Sequence, residues 1–445
     1  MVPWASDRCN DHRFNAARIG LSGSSDPNTS SSAAAADTVA AVMTHATRGS
    51  SLRLLARVPT IVFLVLVAIR LAILGHTIAE VTGKPVTDVY VLRIEQIASS
   101  PGTPYRDFPV EYMFPENLAM QLIGGSGAEA TAIRLVFIAF VADLAAAAAV
   151  WWGWGRRPAA VYLVLGVPLL SFLYQRFDLV SVAIATWGVA IVERREDDVG
   201  GGIALGSAVM LKLWPVAVAP LMLVRRRWRA LRAAAAVCLV IGLAWLLAAG
   251  AKGPVQVLSF RGARGWSAES IEGNLLWLTR HGMPILEQGA MRIGAAPAWA
   301  KGLLFAGLLG YEVVVWRRAG GDARDPAGGA CLAAVTGLLV FSPLISEQYA
   351  AWLLPWAAVA FEGDRAERKV AAIAASAIVL TGLLGLFYLM PFGWAALAQR
   401  WTILARNVAL VLLLIVWFRA SAPNTAVVAG IEVEARLPSA GGEGL

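Results

Sequence analysis

Residues 82–117, TGKPVTDVYVLRIEQIASSPGTPYRDFPVEYMFPEN, form a long polar stretch between two strongly apolar runs. Carboxylates, arginines and tyrosines are interleaved in it: Asp88, Tyr90, Arg93, Glu95, Tyr105, Arg106, Asp107, Glu111, Tyr112 and Glu116. A tether between two membrane helices needs only a few solvated residues. This stretch has instead the side chains that bind and activate a polar substrate. We therefore expect the rest of the chain to be a scaffold that positions it.

The composition excludes a water-soluble protein. Of 445 residues, 58% are hydrophobic and only 15% are charged, whereas a soluble chain carries about a quarter charged residues. The mean hydropathy is +0.63. The apolar runs are continuous and approach the length of about 20 residues that a membrane helix needs; barrel strands would alternate apolar and polar residues. The sequence predicts an all-α, polytopic integral membrane protein.

Arginine tracts indicate the orientation of this protein. They lie at the ends of apolar runs, which is typical of topology signals, so the net charge of +8 is no sign of nucleic-acid binding. We expect residues 58–420 to form a transmembrane domain of about eleven spans. With the amino terminus inside, its long polar loops, residues 80–129 and 251–295, fall on the outer face of the plasma membrane.

Both ends of the chain differ from this domain. Residues 1–57 are rich in Ala, Ser, Asp and Asn and cannot bury enough apolar surface to order themselves, so they predict a disordered cytoplasmic tail. Residues 421–445 predict a flexible cytoplasmic tail. Met43 precedes a short basic leader and is an alternative start of translation.

Residues 201–224 predict a broken hairpin. Arginine-rich flanks place both of its ends in the cytoplasm, yet the segment is too short for two spans of about 20 residues each. Pro215 breaks a helix after Lys212. We expect two half-helices that meet inside the membrane with Lys212 near the tip, because irregular backbone at that depth must be buried or line a cavity.

Four motifs occur in order along the chain: YRDFPVEYMFP (105–115), KLWP (212–215), RGWSAESIEGNLLWL (264–278) and ISEQYAAWLLPW (345–356). Together they resemble glycosyltransferase family 87, membrane enzymes of the C-class glycosyltransferase superfamily, over about residues 58–420. Two departures stand out. Met113 and Phe114 replace a proline-rich step, and Glu347 stands where the family usually has proline.

The resemblance implies a reaction. A polyprenyl-phosphate-linked sugar, mannose in the first place, is transferred with inversion to an outer-face glycolipid or glycan acceptor. Arabinofuranose is the rival sugar. A transporter or lipid flippase is the competing class, since transporters also use broken helices. The Cys and His residues show no metal-ligand spacing, so we predict neither metal nor cofactor.

Asp88 is the candidate catalytic base. It directly follows the first predicted span and is next to Tyr90. Inverting sugar transfer needs a base that takes the proton from the acceptor hydroxyl. The resemblance points to the same residue, because the superfamily places its catalytic acid in the first outer loop. The alternative is that Asp88 only caps a helix beginning near Val89.

Other motif residues are candidates for binding. Those expected to bind substrate are Tyr90, Arg106, Asp107, Glu111, Tyr112, Glu269, Glu347, Gln348 and Tyr349. By spacing, Glu269, Ser270 and Asn274 share a helix face. Asp107 could instead pair with Arg106.

The resemblance makes the leaving group a lipid phosphate, whose growing negative charge arginine and lysine stabilise. Candidates are Lys212, Arg261 and Arg264. The alternatives are a salt bridge within the bundle for Lys212 and ordinary headgroup contacts for the arginines.

Three further arginines have structural interpretations. In the turn QRFD, residues 175–178, we expect Arg176 to pair with Asp178. Arg134 and Arg406 are near outer span ends and are expected to extend to lipid headgroups.

Overall fold

A computed structural model describes residues 61–195, 197–259, 263–279, 282–287, 289–321, 326–387 and 394–420. The predicted tails, Met43 and Arg261 lie outside these residues. The helices are α1 Ile61–Val81, α2 Val89–Ser99, α3 Phe114–Ile123, α4 Ala128–Trp154, α5 Arg156–Gly166, α6 Leu170–Leu173, α7 Asp178–Arg195, α8 Asp198–Leu211, α9 Leu221–Val224, α10 Trp228–Ala249, α11 Lys252–Leu258, α12 Ile271–Thr279, α13 Ala298–Gly321, α14 Gly329–Val340, α15 Leu354–Ala360, α16 Arg365–Phe387 and α17 Trp394–Ala420.

Seven helical segments in this described part are long and apolar enough to cross a membrane. They are α1, α4, α5 with its continuation to Leu173, α10, α13, α16 and α17. The predicted fold class is thereby confirmed: the protein is an all-α, polytopic membrane protein.

Some predicted spans are built differently. The run at 327–343 becomes α14, whose 12 residues rise about 18 Å and fall short of a hydrocarbon layer about 30 Å thick. The run at 349–361 becomes a 3-10 helix, Glu347–Leu353, followed by the seven-residue α15 with Pro355 in its first turn. The expected number of about eleven spans is therefore too high for these two runs, because they form short helices in the protein interior.

The helical break expected at Lys212 is confirmed. Helix α8 ends at Leu211, and Lys212 has extended backbone with φ −144° and ψ 127°. A 3-10 helix, Trp214–Ala217, follows with Pro215 in its first turn, and then comes the four-residue α9. The second half of the hairpin is therefore a series of short turns rather than one half-helix.

Helices α8 and α10 approach each other closely because α8 presents glycines to its partner. A Cβ atom on Gly202 would clash with the carbonyl oxygen of Ala230, and one on Gly206 would lie 2.6 Å from that of Ala234. Both neighbours are backbone atoms that cannot move aside. Small residues that allow such approach are a common basis of helix packing in membranes.

Gly202→Ala should destabilise the protein, because the added methyl group forces α8 away from α10. Gly242→Ala on α10 is the matched control, since a Cβ there meets nothing within 4 Å and alanine favours a helix by about 1 kcal/mol over glycine. Thermal unfolding in detergent should give a lower Tm for the first variant and an equal or higher Tm for the second. Equal changes in both would contradict the close packing.

The two long polar loops meet at one end of the bundle, which we call the loop end. The second loop holds α11, α12 and a small antiparallel sheet of β1 Trp266–Ser267, β2 Ile285–Glu287 and β3 Ala290–Ile293 in the order β1-β3-β2. Gln256 of α11 joins it to the first loop. Its Nε2 donates to the Tyr105 carbonyl at 2.8 Å, and its Oε1 accepts the Val110 N–H at 3.1 Å.

An ion pair lies deep among the membrane helices. Arg70, midway along α1, donates from Nε to Asp143 Oδ2 of α4 at 2.7 Å, and both side chains are fully buried. The hydroxyls of Tyr162 and Tyr174 also donate to Asp143, at 2.9 and 3.2 Å. Tyr174 immediately precedes the QRFD turn, so this Arg70–Asp143 pair anchors that turn to α1 and α4.

Candidate active site

Asp88 is held from two sides at the start of α2. Its Oδ1 accepts the backbone N–H groups of Tyr90 and Val91, both at 3.0 Å, which confirms that it caps the helix. Arg176 Nη1 donates to both carboxylate oxygens at 3.0 Å. The Asp88 side chain keeps 24% exposure, so it is accessible from outside the protein.

Arg176 connects three segments of the site. Besides Asp88, its Nε donates to Gln348 Oε1 at 3.3 Å, and its guanidinium lies 5.1 Å from the centre of the Tyr90 ring. The expected pair with Asp178 is wrong. Asp178 is the first residue of α7, and its carboxylate turns into the bundle, where Trp352 Nε1 donates to it at 2.9 Å. Arg176 precedes the helix and turns toward the first loop.

Lys212 lies between two buried carboxylates in what we call the Lys212 cluster. Its Nζ is 2.8 Å from Glu116 Oε1 and 3.6 Å from Asp178 Oδ2. Tyr90 also donates its hydroxyl to Glu116 Oε1, at 2.8 Å. Burial raises the pKa of Glu116 above its ordinary value, and the Lys212 charge opposes that rise. Because Tyr90 contacts both Glu116 and Arg176, it links this cluster to Asp88.

A third group of charges surrounds Glu269. Arg406 Nη1 donates to Glu269 Oε2 at 2.7 Å, and Arg406 Nη2 donates to the Glu269 carbonyl at 2.6 Å. Glu347 is a second hydrogen-bonding neighbour of the Glu269 side chain. Burial first, and then the Glu347 charge, raise the pKa of Glu269 to about 8 although Arg406 lowers it. Arg406 and Glu347 therefore act on the pKa of Glu269 in opposite directions.

These three groups bring carboxylates, cations and tyrosines from distant segments to the loop end.

The comparison with known protein families gives a second result. Residues 128–346 match glycosyltransferase family 87. This match implies a membrane glycosyltransferase. No curated protein matches the chain.

The family 87 match and the site overlap in part. Arg176, Lys212 and Glu269 lie inside residues 128–346, whereas Asp88 precedes the match and Glu347 follows it. The loop that holds Asp88 nevertheless joins the matched region in space, through the Asp88–Arg176 and Glu116–Lys212 ion pairs.

The other charged candidates of the first loop bind partners within the loop or on α10. Glu111 accepts from Arg93, with 3.0 Å between Arg93 Nη2 and Glu111 Oε2. Asp107 accepts the Thr103 N–H at 2.5 Å, and Arg106 donates to the Leu247 carbonyl at 3.0 Å. The alternative Arg106–Asp107 pair is thus replaced by separate partners.

The aromatic candidates lie at the junction of the groups. Tyr112 packs edge-on against Tyr90, with ring centres 5.5 Å apart, and its ring faces Lys212. Tyr349 stacks on Trp352 at 4.1 Å. Tyr90, which faces Arg176, and Tyr112, which faces Lys212, thereby connect the Asp88 and Lys212 groups.

The second loop places its candidates on different sides. Glu269 and Ser270 precede α12, and Ser270 accepts the Gly273 N–H at its start. The helix face expected for Glu269, Ser270 and Asn274 is therefore wrong, because only Asn274 belongs to the helix. Arg264 is exposed; its backbone N–H donates to Glu287 Oε1 at 2.9 Å.

Arg406 of α17 is only 3% exposed. Its expected contact with lipid headgroups is therefore wrong, because Glu269 binds it inside the protein.

The sequence identified one residue of each group, Asp88, Lys212 and Glu269, but not the residues that pair with them. Glu116 was visible as a loop carboxylate, and Asp178 as part of QRFD, but no spacing rule connects either of them to Lys212. Arg176 and Asp88 are separated by 88 residues. A residue such as Arg406, within an apolar run, is a sign of an internal partner, and that signal could have identified it.

The Glu269–Glu347 pair predicts a pH dependence of stability. Because the pKa of Glu269 is about 8 in the folded protein and about 4.3 in an unfolded chain, stability should fall as pH rises from about 4 to about 8. Glu347→Gln removes the neighbouring charge, lowers the pKa of Glu269 and should narrow that range. Tm measured against pH in both proteins checks this, and a range of equal width would contradict it.

Proposed function

We propose that this protein is a membrane glycosyltransferase that moves a sugar, mannose in the first place, from a polyprenyl-phosphate donor to a glycolipid or glycan acceptor. Transfer proceeds with inversion, on the outer face of the plasma membrane. A donor with a β linkage then yields an α-linked product.

The observation that carries this proposal is the position of Asp88. It is a partly exposed carboxylate at the loop end, fixed by a helix start and by Arg176, beside a region that matches glycosyltransferase family 87. A general base must reach the acceptor hydroxyl directly, and fixing its orientation beforehand reduces the entropic cost of the transition state.

In the proposed reaction, Asp88 takes the proton of the acceptor hydroxyl while that oxygen forms a bond to the anomeric carbon. The bond between that carbon and the phosphate oxygen breaks, and the lipid phosphate leaves with the electron pair. Arg176 acts as a positioning residue, since it holds Asp88 and Gln348 in one arrangement. Glu347 adds a carboxylate to the site. We expect it to affect which sugar or which acceptor the enzyme prefers.

The test is transfer of radiolabelled mannose from polyprenyl-phosphate-mannose to extracted membrane lipids, with wild type and Asp88→Ala compared. Loss of transfer in a folded, membrane-inserted variant would support both the class and the base. A parallel reaction with the arabinofuranose donor tests the rival sugar. Transfer from neither donor, together with movement of intact lipid across vesicles, would favour the flippase instead.

A further inference from the structure

A groove of about 230 Å³ runs between α12 and α17 at the loop end. Its surface is apolar, and its walls are Ile271, Asn274 and Leu275 of α12 with Leu404, Asn407, Val408, Val411 and Leu412 of α17. Three of these side chains, Leu275, Val408 and Leu412, are 46–50% exposed. The groove therefore opens sideways toward the hydrocarbon region instead of being an enclosed interior void.

The groove follows one face of α17. Leu404, Val408 and Leu412 are spaced by four residues, which places them above one another on the helix. One more turn toward the start of α17 leads to Arg400 on the same face. From Arg400 to Leu412 the helix rises about 18 Å, so a cation stands at the loop end of an extended apolar channel.

Arg400 differs from the other cations of the site. Arg176, Lys212 and Arg406 each bind carboxylates, whereas no carboxylate pairs with Arg400 within the described ranges. Its guanidinium lies 5.0 Å from the Trp277 ring centre, and its Nη2 has only the sulfur of Met283 at 3.7 Å. Its Nε is buried without a hydrogen-bond partner.

Asn274 gives a second sign of an absent ligand. It is fully buried and lines the groove. Its Nδ2 donates to the Arg400 carbonyl at 3.0 Å, whereas its Oδ1 has no partner. A buried amide oxygen without a partner is costly, and a hydroxyl of a sugar carried on a bound lipid phosphate would satisfy it by donating a hydrogen bond.

We propose that this groove binds a lipid phosphate, with the hydrocarbon chain between α12 and α17 and the phosphate at Arg400. The apolar walls, the lateral opening and the uncompensated cation together fit an amphipathic anion. Arginine suits phosphate because its N–H groups can bond two oxygens at once. The inference rests on the proposed function in one respect: it takes this lipid to be the sugar donor.

The assignment also changes which cation meets the leaving group. Lys212 already faces two carboxylates, so a phosphate placed there would meet net negative charge. Arg406, which follows Arg400 along α17, binds Glu269. Asn407, which lines the groove, donates from Nδ2 to the Glu269 carbonyl at 3.3 Å.

Binding of tritiated geranylgeranyl phosphate and of geranylgeraniol to the full chain in lipid nanodiscs tests this proposal. Val408→Trp fills the groove, Arg400→Gln removes the cation, and Arg400→Lys retains it. The matched control is Val379→Trp on α16, because Val379 is 45% exposed and Val408 is 47% exposed. Asp88→Asn is included as a variant expected to bind without transferring sugar.

We expect wild type to prefer the phosphate over the alcohol by at least about tenfold. Val408→Trp should lose binding of both probes, and Arg400→Gln should lose only the preference. Arg400→Lys should keep part of the preference, and Val379→Trp should bind as wild type does. Any of three results would overturn the proposal. They are unchanged binding by Val408→Trp, an equal loss of binding in the Val379→Trp control, and an intact preference for the phosphate in Arg400→Gln. Phosphate binding without sugar transfer by wild type would instead contradict the proposed function and leave the groove assignment standing.

Discussion

Asp88→Asn is expected to reduce sugar transfer by about 10²- to 10⁴-fold, the usual contribution of a general base. Asparagine caps a helix about as well as aspartate, so the start of α2 should stay in place. It can also accept a hydrogen bond from Arg176 through its remaining oxygen. What it cannot do is take a proton from the acceptor hydroxyl. The initial rate with labelled donor, at equal amounts of membrane-inserted protein, measures the effect.

Asp197→Asn is the matched control for this variant. Asp197 caps α8 in the same way, with its side chain accepting the Gly200 N–H, and it takes no part in the proposed site. It should transfer sugar as wild type does. If Asp88→Asn also kept full activity, Asp88 would be a helix cap alone and the base would have to be another carboxylate at the loop end.

Lys212→Met is expected to destabilise the protein by about 3–5 kcal/mol, because it leaves Glu116 and Asp178 buried without their cation. Glu116 is 1% exposed and Asp178 is fully buried, so water cannot replace the ammonium group. Adding Glu116→Gln should recover part of the loss, since only one of the two acids then needs compensation. Unfolding of purified protein in detergent, followed by tryptophan fluorescence, measures both variants.

Unfolding of Lys212→Met, together with its binding of geranylgeranyl phosphate in nanodiscs, distinguishes the two roles considered for Lys212. A variant that unfolds like wild type but no longer retains a lipid phosphate would support phosphate binding by Lys212. It would also contradict the structural role that the Lys212 cluster indicates.

The helices could be predicted largely from local features. Continuous apolar runs identify membrane helices such as α4 and α16, because a bilayer demands about 20 apolar residues in sequence. The break at Lys212 was equally accessible, because Pro215 removes a backbone donor and clashes with the preceding turn. Hydropathy cannot distinguish a spanning helix from a short one enclosed by its neighbours, and for that reason the segment of α14 appeared as a span.

The candidate site was less accessible because its contacts are long-range. The motifs pointed to Lys212 and Glu269, whereas Asp88 and its capping alternative followed from its position after the first predicted span and before a helix. The ion pairs that each of them makes, with Arg176, with Glu116 and Asp178, and with Arg406, depend on how distant segments pack, which no spacing in the sequence encodes. Arg70 and Asp143 are 73 residues apart and belong to none of the motifs.

The buried Arg70–Asp143 pair has a consequence for biogenesis. A lone arginine at the middle of a membrane helix costs about 2.5–3.5 kcal/mol, and α1 leaves the ribosome well before α4 supplies the compensating carboxylate. The first helix is therefore poorly suited to partition into lipid alone. It should stay beside the insertion machinery until α4 arrives, and the two then enter the bilayer as a neutral unit.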